Sequence, residues 1–302
     1  MTVQQNERRI LIWSVIGAVL FAAGGIIAGV MVTSQMILFD GLYSLVSVAL
    51  SLMSLFAAGF MNKKDLTNYP FGKSMLEPLV ILVKYTAILI LVVASMVAAL
   101  TALFTGGRDM MLGAALFYST VATLVSLGFY LWLNQMSKKS ETGLVKAEKN
   151  QWLMDTLVSF GVMGGFVLAG VFAIVDSLAF LVPYTDPAMV VIVTVWFIKV
   201  PVTEMREAVK QLVEVRLEQD LAGPMEAKIK EIEDRFGMQE SFIRMTRTGK
   251  VIWLEIDYVI LPKSDVDSVL VQDEIRSEIA KSVPHQPYWL TVSFIHDRKW
   301  AI

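Results

Sequence analysis

Two aspartates lie within long apolar segments of the chain, and each has a polar neighbour four residues away. Asp40 is followed by Ser44, and Asp155 is preceded by Gln151. A spacing of four residues places both members of a pair on one face of a helix, so two helices can present four oxygen donors to a common point. Such an arrangement is the outline of a tetrahedral cation site. Ionisable groups in apolar surroundings are costly and usually functional, which makes these four residues the first candidates for chemistry.

Six apolar segments are long enough to hold these residues in a lipid bilayer. The chain of 302 residues is 55% hydrophobic, and its mean hydropathy of +0.59 exceeds that of ordinary globular proteins. A bilayer core about 30 Å thick needs about 20 apolar residues per helix. The sequence predicts an all-α domain of six transmembrane helices, at roughly 10–32, 35–60, 77–104, 110–136, 146–175 and 186–206.

The distribution of basic residues predicts the orientation of these helices. One set of ends and connections carries Arg8, Arg9, Lys63, Lys64, Lys73, Lys138, Lys139, Lys146 and Lys149. The opposite connections hold only Arg108. By the positive-inside rule both termini are expected in the cytoplasm. The plasma (inner) membrane is the expected location.

The depths of the two aspartates are compatible with a shared site. At 1.5 Å per residue, Asp40 lies about 10 Å below an outer boundary near Thr33, and Asp155 about 9 to 14 Å above an inner boundary at Lys146 to Lys149. The remaining difference in height, about 6 to 10 Å, can be absorbed by helix tilt. The alternative is that each aspartate accepts a local hydrogen bond or faces an aqueous vestibule. The coincidence of two polar pairs favours the shared site.

The charged segment after the sixth helix predicts a separate cytosolic domain. We place the transmembrane domain at 1–208 and the C-terminal domain at 209–302. The predicted elements of this domain, in chain order, are a helix near Gly223–Phe236, strands Phe242–Thr246 and Val251–Ile260, a helix Asp265–Ser282 and a strand Tyr288–Ile295. The order αββαβ is typical of a small open-faced α+β sandwich.

Composition excludes several other classes of protein and site. The chain has no cysteine, so a thiolate metal site cannot form, and its only histidines are His285 and His296. The net charge of −2 provides no basic field, so nucleic acid is not an expected partner. No nucleophile–base pair or phosphate-binding glycine loop is evident, so an enzyme is not expected.

Two short motifs resemble the cation diffusion facilitator family. The first is Ile37-Leu38-Phe39-Asp40-Gly41-Leu42-Tyr43-Ser44, and the second is Tyr69-Pro70-Phe71-Gly72 with Glu77 following. The chain is similar to this family over nearly its whole length. The resemblance implies six transmembrane helices, a metallochaperone-like αββαβ cytosolic domain and assembly as a homodimer.

The resemblance also assigns the four polar residues to a transport site. By position, the site members are Asp40, Ser44, Gln151 and Asp155. Ser44 and Gln151 depart from the aspartates and histidines that the family usually carries at these positions. The resulting oxygen-only set favours manganese, magnesium or ferrous iron over zinc, because zinc prefers nitrogen and sulfur ligands.

Other ionisable residues receive structural interpretations. Lys84 in the third helix is expected to extend its amine toward the cytoplasmic surface. In the C-terminal domain, Asp257, His296 and Asp297 lie near places where the family often holds regulatory metals. We interpret this group as a solvated edge, since one histidine with scattered carboxylates is a poor metal site.

The resemblance implies a secondary transporter that exports a divalent cation by alternating access, in exchange for protons. A buried carboxylate can hold a proton when the metal has left. No permanently bound cofactor is expected, and the expected partners are the cation, protons, the lipid bilayer and a second copy of the chain. A second hypothesis stays open: a transport-incompetent relative that acts as a scaffold or regulatory partner. The presence of both aspartates argues against it, because an unpaired buried carboxylate is costly.

Overall fold

A computed structural model of the chain describes residues 3–61, 65, 67–137, 143–249, 251–262, 265–284 and 287–301. The chain divides into two compact units. The first consists of Met1–Leu55 and Lys84–Thr203, and the second of Phe56–Val83 and Glu204–Ile302. The predicted boundary between residues 208 and 209 stays a prediction.

Apolar helices make up most of the first unit. In chain order they are α1 (Val3–Val32), α2 (Gln35–Met61), α3 (Leu76–Phe104), α4 (Leu112–Ser137), α5 (Gly143–Ile174) and α6 (Val182–Phe197), with a 3₁₀ turn at Asp176–Leu181 before α6. Within the described residues, five stretches are long and apolar enough to cross a membrane: Ile12–Val32, Leu76–Phe104, Leu112–Met136, Gln151–Ile174 and Asp176–Leu212. The apolar part of α2 found in the same way, Gln35–Leu50, is shorter, so the count of six spans stays a prediction.

The sixth predicted helix, 186–206, is divided in the structure. Helix α6 ends at Phe197, and α7 runs over Lys199–Leu212, past the predicted end. Pro201 explains the interruption, because its nitrogen carries no hydrogen and cannot bond to the carbonyl oxygen of Phe197.

A contact between glycines brings the backbones of α1 and α2 together beside Asp40. A Cβ atom added to Gly41 would lie 2.5 Å from the backbone nitrogen of Ile26, and one added to Gly25 would lie 2.7 Å from the Cα of Gly41. Only hydrogen fits at these two positions. Close approach of small residues is a common basis of helix packing in membranes, and here it places Asp40 next to the α1–α2 crossing.

The second unit contains a mixed three-stranded sheet with two helices. Its elements are α8 (Gln219–Arg235), β1 (Glu240–Thr248), β2 (Val251–Val259), α9 (Val269–Ser282) and β3 (Tyr288–Ile295). Strand β2 is central, antiparallel to β1 and parallel to β3. The predicted order αββαβ is observed. The helix predicted at 265–282 is shorter, since Asp265–Asp267 forms a 3₁₀ turn instead.

Alternation along β2 builds the core of the second unit. Ile252, Leu254, Ile256 and Tyr258 are buried on one face of the sheet. They join one hydrophobic cluster with α8 and α9, which contribute Met225, Ile229, Ile232, Ile275 and Ile279. The hydroxyl of Tyr258 donates a hydrogen bond to the carbonyl oxygen of Ile229 at 3.2 Å, so its polar end is satisfied within the core.

We predict that Gly41→Ala lowers the thermal midpoint of the protein in detergent and strongly reduces transport. The added methyl group would collide with the backbone of α1, and overpacking of this kind costs about 1–3 kcal/mol. Gly24→Ala is the matched control, because no atom lies within 4 Å of a Cβ at that position. Equal midpoints and equal transport in the two variants would contradict the proposed role of the contact.

Candidate metal centre

A cavity of about 710 Å³ lies within the first unit, among helices α2, α3, α5 and α6 and the first residues of α7. Most of its wall is apolar. The polar side chains that line it are Asp40, Tyr43, Ser47, Tyr85, Gln151 and Asp155. The cavity therefore gathers two carboxylates and four neutral polar groups from three helices.

Three of the four residues that the sequence predicts as a cation site line this cavity. They are Asp40, Gln151 and Asp155, whereas Ser44 is not part of the lining. The hydroxyl of Ser44 is buried one helical turn from Asp40 and has no hydrogen-bond partner among the described residues. A buried polar atom without a partner is costly and calls for an explanation, such as a ligand or water that binds there.

The two aspartates differ in their surroundings. Asp40 is 8% exposed, and no hydrogen bond to its carboxylate is found within the described part of the chain. Asp155 is half-buried and has interactions of its own. The phenol of Tyr43 lies within electrostatic range of both carboxylates, and its ring packs edge-on against Phe197 at 5.1 Å between centroids. Tyr43 thus contacts α6 and lines the same cavity as the two carboxylates.

The rotation of α5 about its axis is set by Trp152. This side chain is 1% exposed, and its Nε1 donates a hydrogen bond of 2.8 Å to the hydroxyl of Ser14 on α1. Its ring also stacks on Phe129 of α4, with 4.3 Å between centroids. With Trp152 turned toward α1 and α4, the neighbouring Gln151 and Asp155 are left on the face that lines the cavity.

Comparison with known families gives the chain its assignment. The sequence model of the cation efflux transmembrane domain matches residues 11–213. The chain belongs to the cation efflux, or cation diffusion facilitator, family. A search of curated proteins found no match. The resemblance read from the sequence is confirmed, and it identifies an integral, multi-pass membrane protein that transports a metal cation. Cation efflux proteins are transporters, in general, rather than enzymes.

In this cation efflux protein, helix geometry shows which further residues share the face of Asp40. Side chains three and seven positions along a helix lie close to the same direction, and Tyr43 and Ser47 have these spacings from Asp40. Viewed along the helix axis, Ser44 and Tyr43 lie on opposite sides of the direction in which Asp40 points. The sequence therefore contained a spacing that could have identified Tyr43 and Ser47 as cavity residues. Many other helical residues have the same spacing, so it is a weak signal.

The polar residues that the sequence suggests as a solvated edge of the C-terminal domain have other partners, and that interpretation is wrong for Asp257, which is buried on the central strand β2. Asp257 accepts a hydrogen bond from Arg244 at 2.7 Å, and Asp297 pairs with Lys299 at 2.7 Å. His296 Nδ1 lies 3.3 Å from the carbonyl oxygen of Ile260. Within the described residues, no three or more histidine, aspartate or glutamate side chains are grouped closely enough to hold a metal ion. His285 lies outside the described residues.

Proposed function

We propose that this cation efflux protein exports a divalent cation from the cytoplasm in exchange for protons, with Asp40 and Asp155 as the charged ligands. The observation that supports this proposal best is that both carboxylates line one cavity, together with Gln151. A formal charge of −2 in apolar surroundings matches one divalent cation. It equally matches two protons, so the two carboxylates can bind one divalent cation and two protons in turn.

The neutral ligands of the site would be oxygens. Gln151 supplies an amide oxygen at the cavity wall, and Ser44 supplies a buried hydroxyl that has no other partner among the described residues. Tyr43 and Ser47 add hydroxyl groups to the same lining. A shell of carboxylate, hydroxyl and amide oxygens is hard, and water can raise its coordination number to six. Manganese, magnesium and ferrous iron suit such a shell better than zinc does.

The proposed direction of transport rests on membership of the cation efflux family, and the proposed orientation of the chain rests on the distribution of basic residues. Lysines and arginines concentrate near the chain ends and connections that the positive-inside rule places in the cytoplasm. We accordingly propose cytoplasmic termini. We also propose insertion in the plasma membrane and a homodimer as the working assembly. Family membership is the support for the homodimer.

The carboxylates are tested by transport into proteoliposomes with an imposed pH gradient. We expect Asp40→Asn and Asp155→Asn each to lower manganese uptake at least about 100-fold, because loss of a ligand costs at least as much as loss of a group that orients a ligand. Asp176→Asn is the matched control, since Asp176 is an exposed carboxylate in the turn before α6. Unchanged uptake in both site variants would contradict the proposal, and absence of uptake of any cation by the parent protein would favour a scaffold.

Selectivity is tested by giving the site one nitrogen ligand. We predict that the parent protein transports manganese, magnesium or ferrous iron faster than zinc. Gln151→His should shift the ratio of rates toward zinc, because imidazole is a ligand that zinc prefers. Gln135→His, on an exposed position of α4 outside the cavity lining, should leave the ratio unchanged. Faster transport of zinc than of manganese and magnesium by the parent protein would show that the oxygen-only assignment is wrong.

A further inference from the structure

A second buried aspartate, Asp186 on α6, is satisfied entirely by the beginning of α2. Asp186 has no exposed surface. One carboxylate oxygen accepts a hydrogen bond from the hydroxyl of Ser34 at 2.6 Å and from the backbone N–H of Met36 at 3.2 Å. The other accepts from the backbone N–H of Gln35 at 2.7 Å. A single side chain thus joins two helices whose residues are about 150 positions apart in the chain.

These bonds complete the N-terminal cap of α2. The first N–H groups of a helix have no partner within the helix, and they carry a partial positive charge that favours an anion. Ser34 caps its own helix by accepting from the N–H of Ile37 at 3.2 Å. Asp186 takes the two N–H groups before it, so the carboxylate of α6 supplies what the local sequence of α2 leaves unsatisfied.

The cavity begins beyond the hydrogen bonds between Asp186 and the start of α2, further along both helices. On α2 its lining begins at Asp40, and on α6 it begins at Met189 and continues to Phe197, with Val200 and Pro201 of α7 beyond. Neither Asp186 nor the residues that it binds are part of the lining. The cavity therefore extends from Asp40 toward the end at which α6 finishes, and it stops short of the end at which α2 begins.

Two further hydrogen bonds lie at the end where α2 begins. The hydroxyl of Thr33 donates to the carbonyl oxygen of Asp109 at 2.8 Å, and the N–H of Arg108 donates to that of Pro183 at 2.7 Å. The connections α1–α2 and α3–α4 and the first turns of α6 thus come together here. By the distribution of lysines, this end is the outer one.

We infer that Asp186 is a positioning residue that latches α2 to α6 and holds the outer end of the cavity closed. Release of a cation to the outside requires a water-filled path between Asp40 and this end. The contact between Asp186 and Ser34–Met36 lies in that path. The two helices must part at this contact for the path to open. This inference rests on the proposed export function, but it can be measured without transport.

The absence of cysteine from the sequence makes the test direct. Val193→Cys places a single thiol in the cavity wall, two turns along α6 from Asp186. A membrane-impermeant maleimide is applied to either face of the full-length protein in sealed vesicles. In the Val193→Cys parent we expect rapid labelling from the cytoplasmic face and slow labelling from the outer face.

Adding Asp186→Ala should raise the outer rate at least about tenfold and lower the cytoplasmic rate. The hydrogen bonds lost are to a charged group, and their loss is enough to shift a two-state population by such a factor. Ser34→Ala removes one bond and leaves the carboxylate in place, so a smaller change in the same directions is expected. Asp176→Asn, at an exposed carboxylate in the turn before α6, is the control and should change neither rate.

Opposite changes at the two faces distinguish a latch from a structural defect, because a loosened fold would raise labelling from both. An outer rate that stays at the parent value in both Asp186→Ala and Ser34→Ala, or a rise at both faces, would overturn the inference. Because labelling is read without transport, a protein that carries no cation but shows the opposite changes would contradict the proposed function and leave the latch in place.

Discussion

The free-energy cost of charged carboxylates among apolar helices is the constraint on which the first unit depends. Asp40 and Asp155 line one cavity whose wall is mostly apolar, and carboxylates in such surroundings are costly unless they are paired or hydrogen-bonded. The glycine contact between α1 and α2 places the first of them, and the hydrogen bond and ring stacking of Trp152 orient the second. Close packing around the cavity thus serves to hold two charges where a cation can neutralise both.

The two most buried aspartates of this unit differ in the hydrogen bonds that their carboxylates receive. Asp186 receives three hydrogen bonds from α2, and its charge is used to stabilise the end of a helix. Asp40 receives none within the described part of the chain, and one turn away the hydroxyl of Ser44 is also without a partner. A carboxylate that is fully bonded suits a structural contact, whereas one left open suits a ligand that comes and goes. By this criterion Asp40 suits the transport role that we propose for it, and Asp186 suits the structural contact that we infer to control access.

Hydropathy and residue spacing were enough to predict the apolar helices, the order αββαβ and a shared location for Asp40, Gln151 and Asp155. They were not enough to decide which side of α2 faces the cavity, because a four-residue spacing does not specify the rotation of the helix. The predicted sixth helix continued past Phe197, whereas the observed helix is interrupted there because the nitrogen of Pro201 carries no hydrogen. The contact of Asp186 with Ser34 could not be predicted, since it depends on packing between distant segments and neither residue belongs to a recognisable motif.

The most direct test of whether Asp40 and Asp155 bind the cation is anomalous diffraction at the manganese absorption edge. The crystals would contain the full chain and be grown with Mn²⁺. We predict one strong peak inside the cavity, within ligand distance, about 2.0–2.4 Å, of a carboxylate oxygen of both Asp40 and Asp155. Oxygen atoms of Gln151 or of the neighbouring hydroxyl groups should complete the shell. A cavity without a peak, beside well-occupied manganese elsewhere in the chain, would contradict the assignment of these aspartates as the transport site.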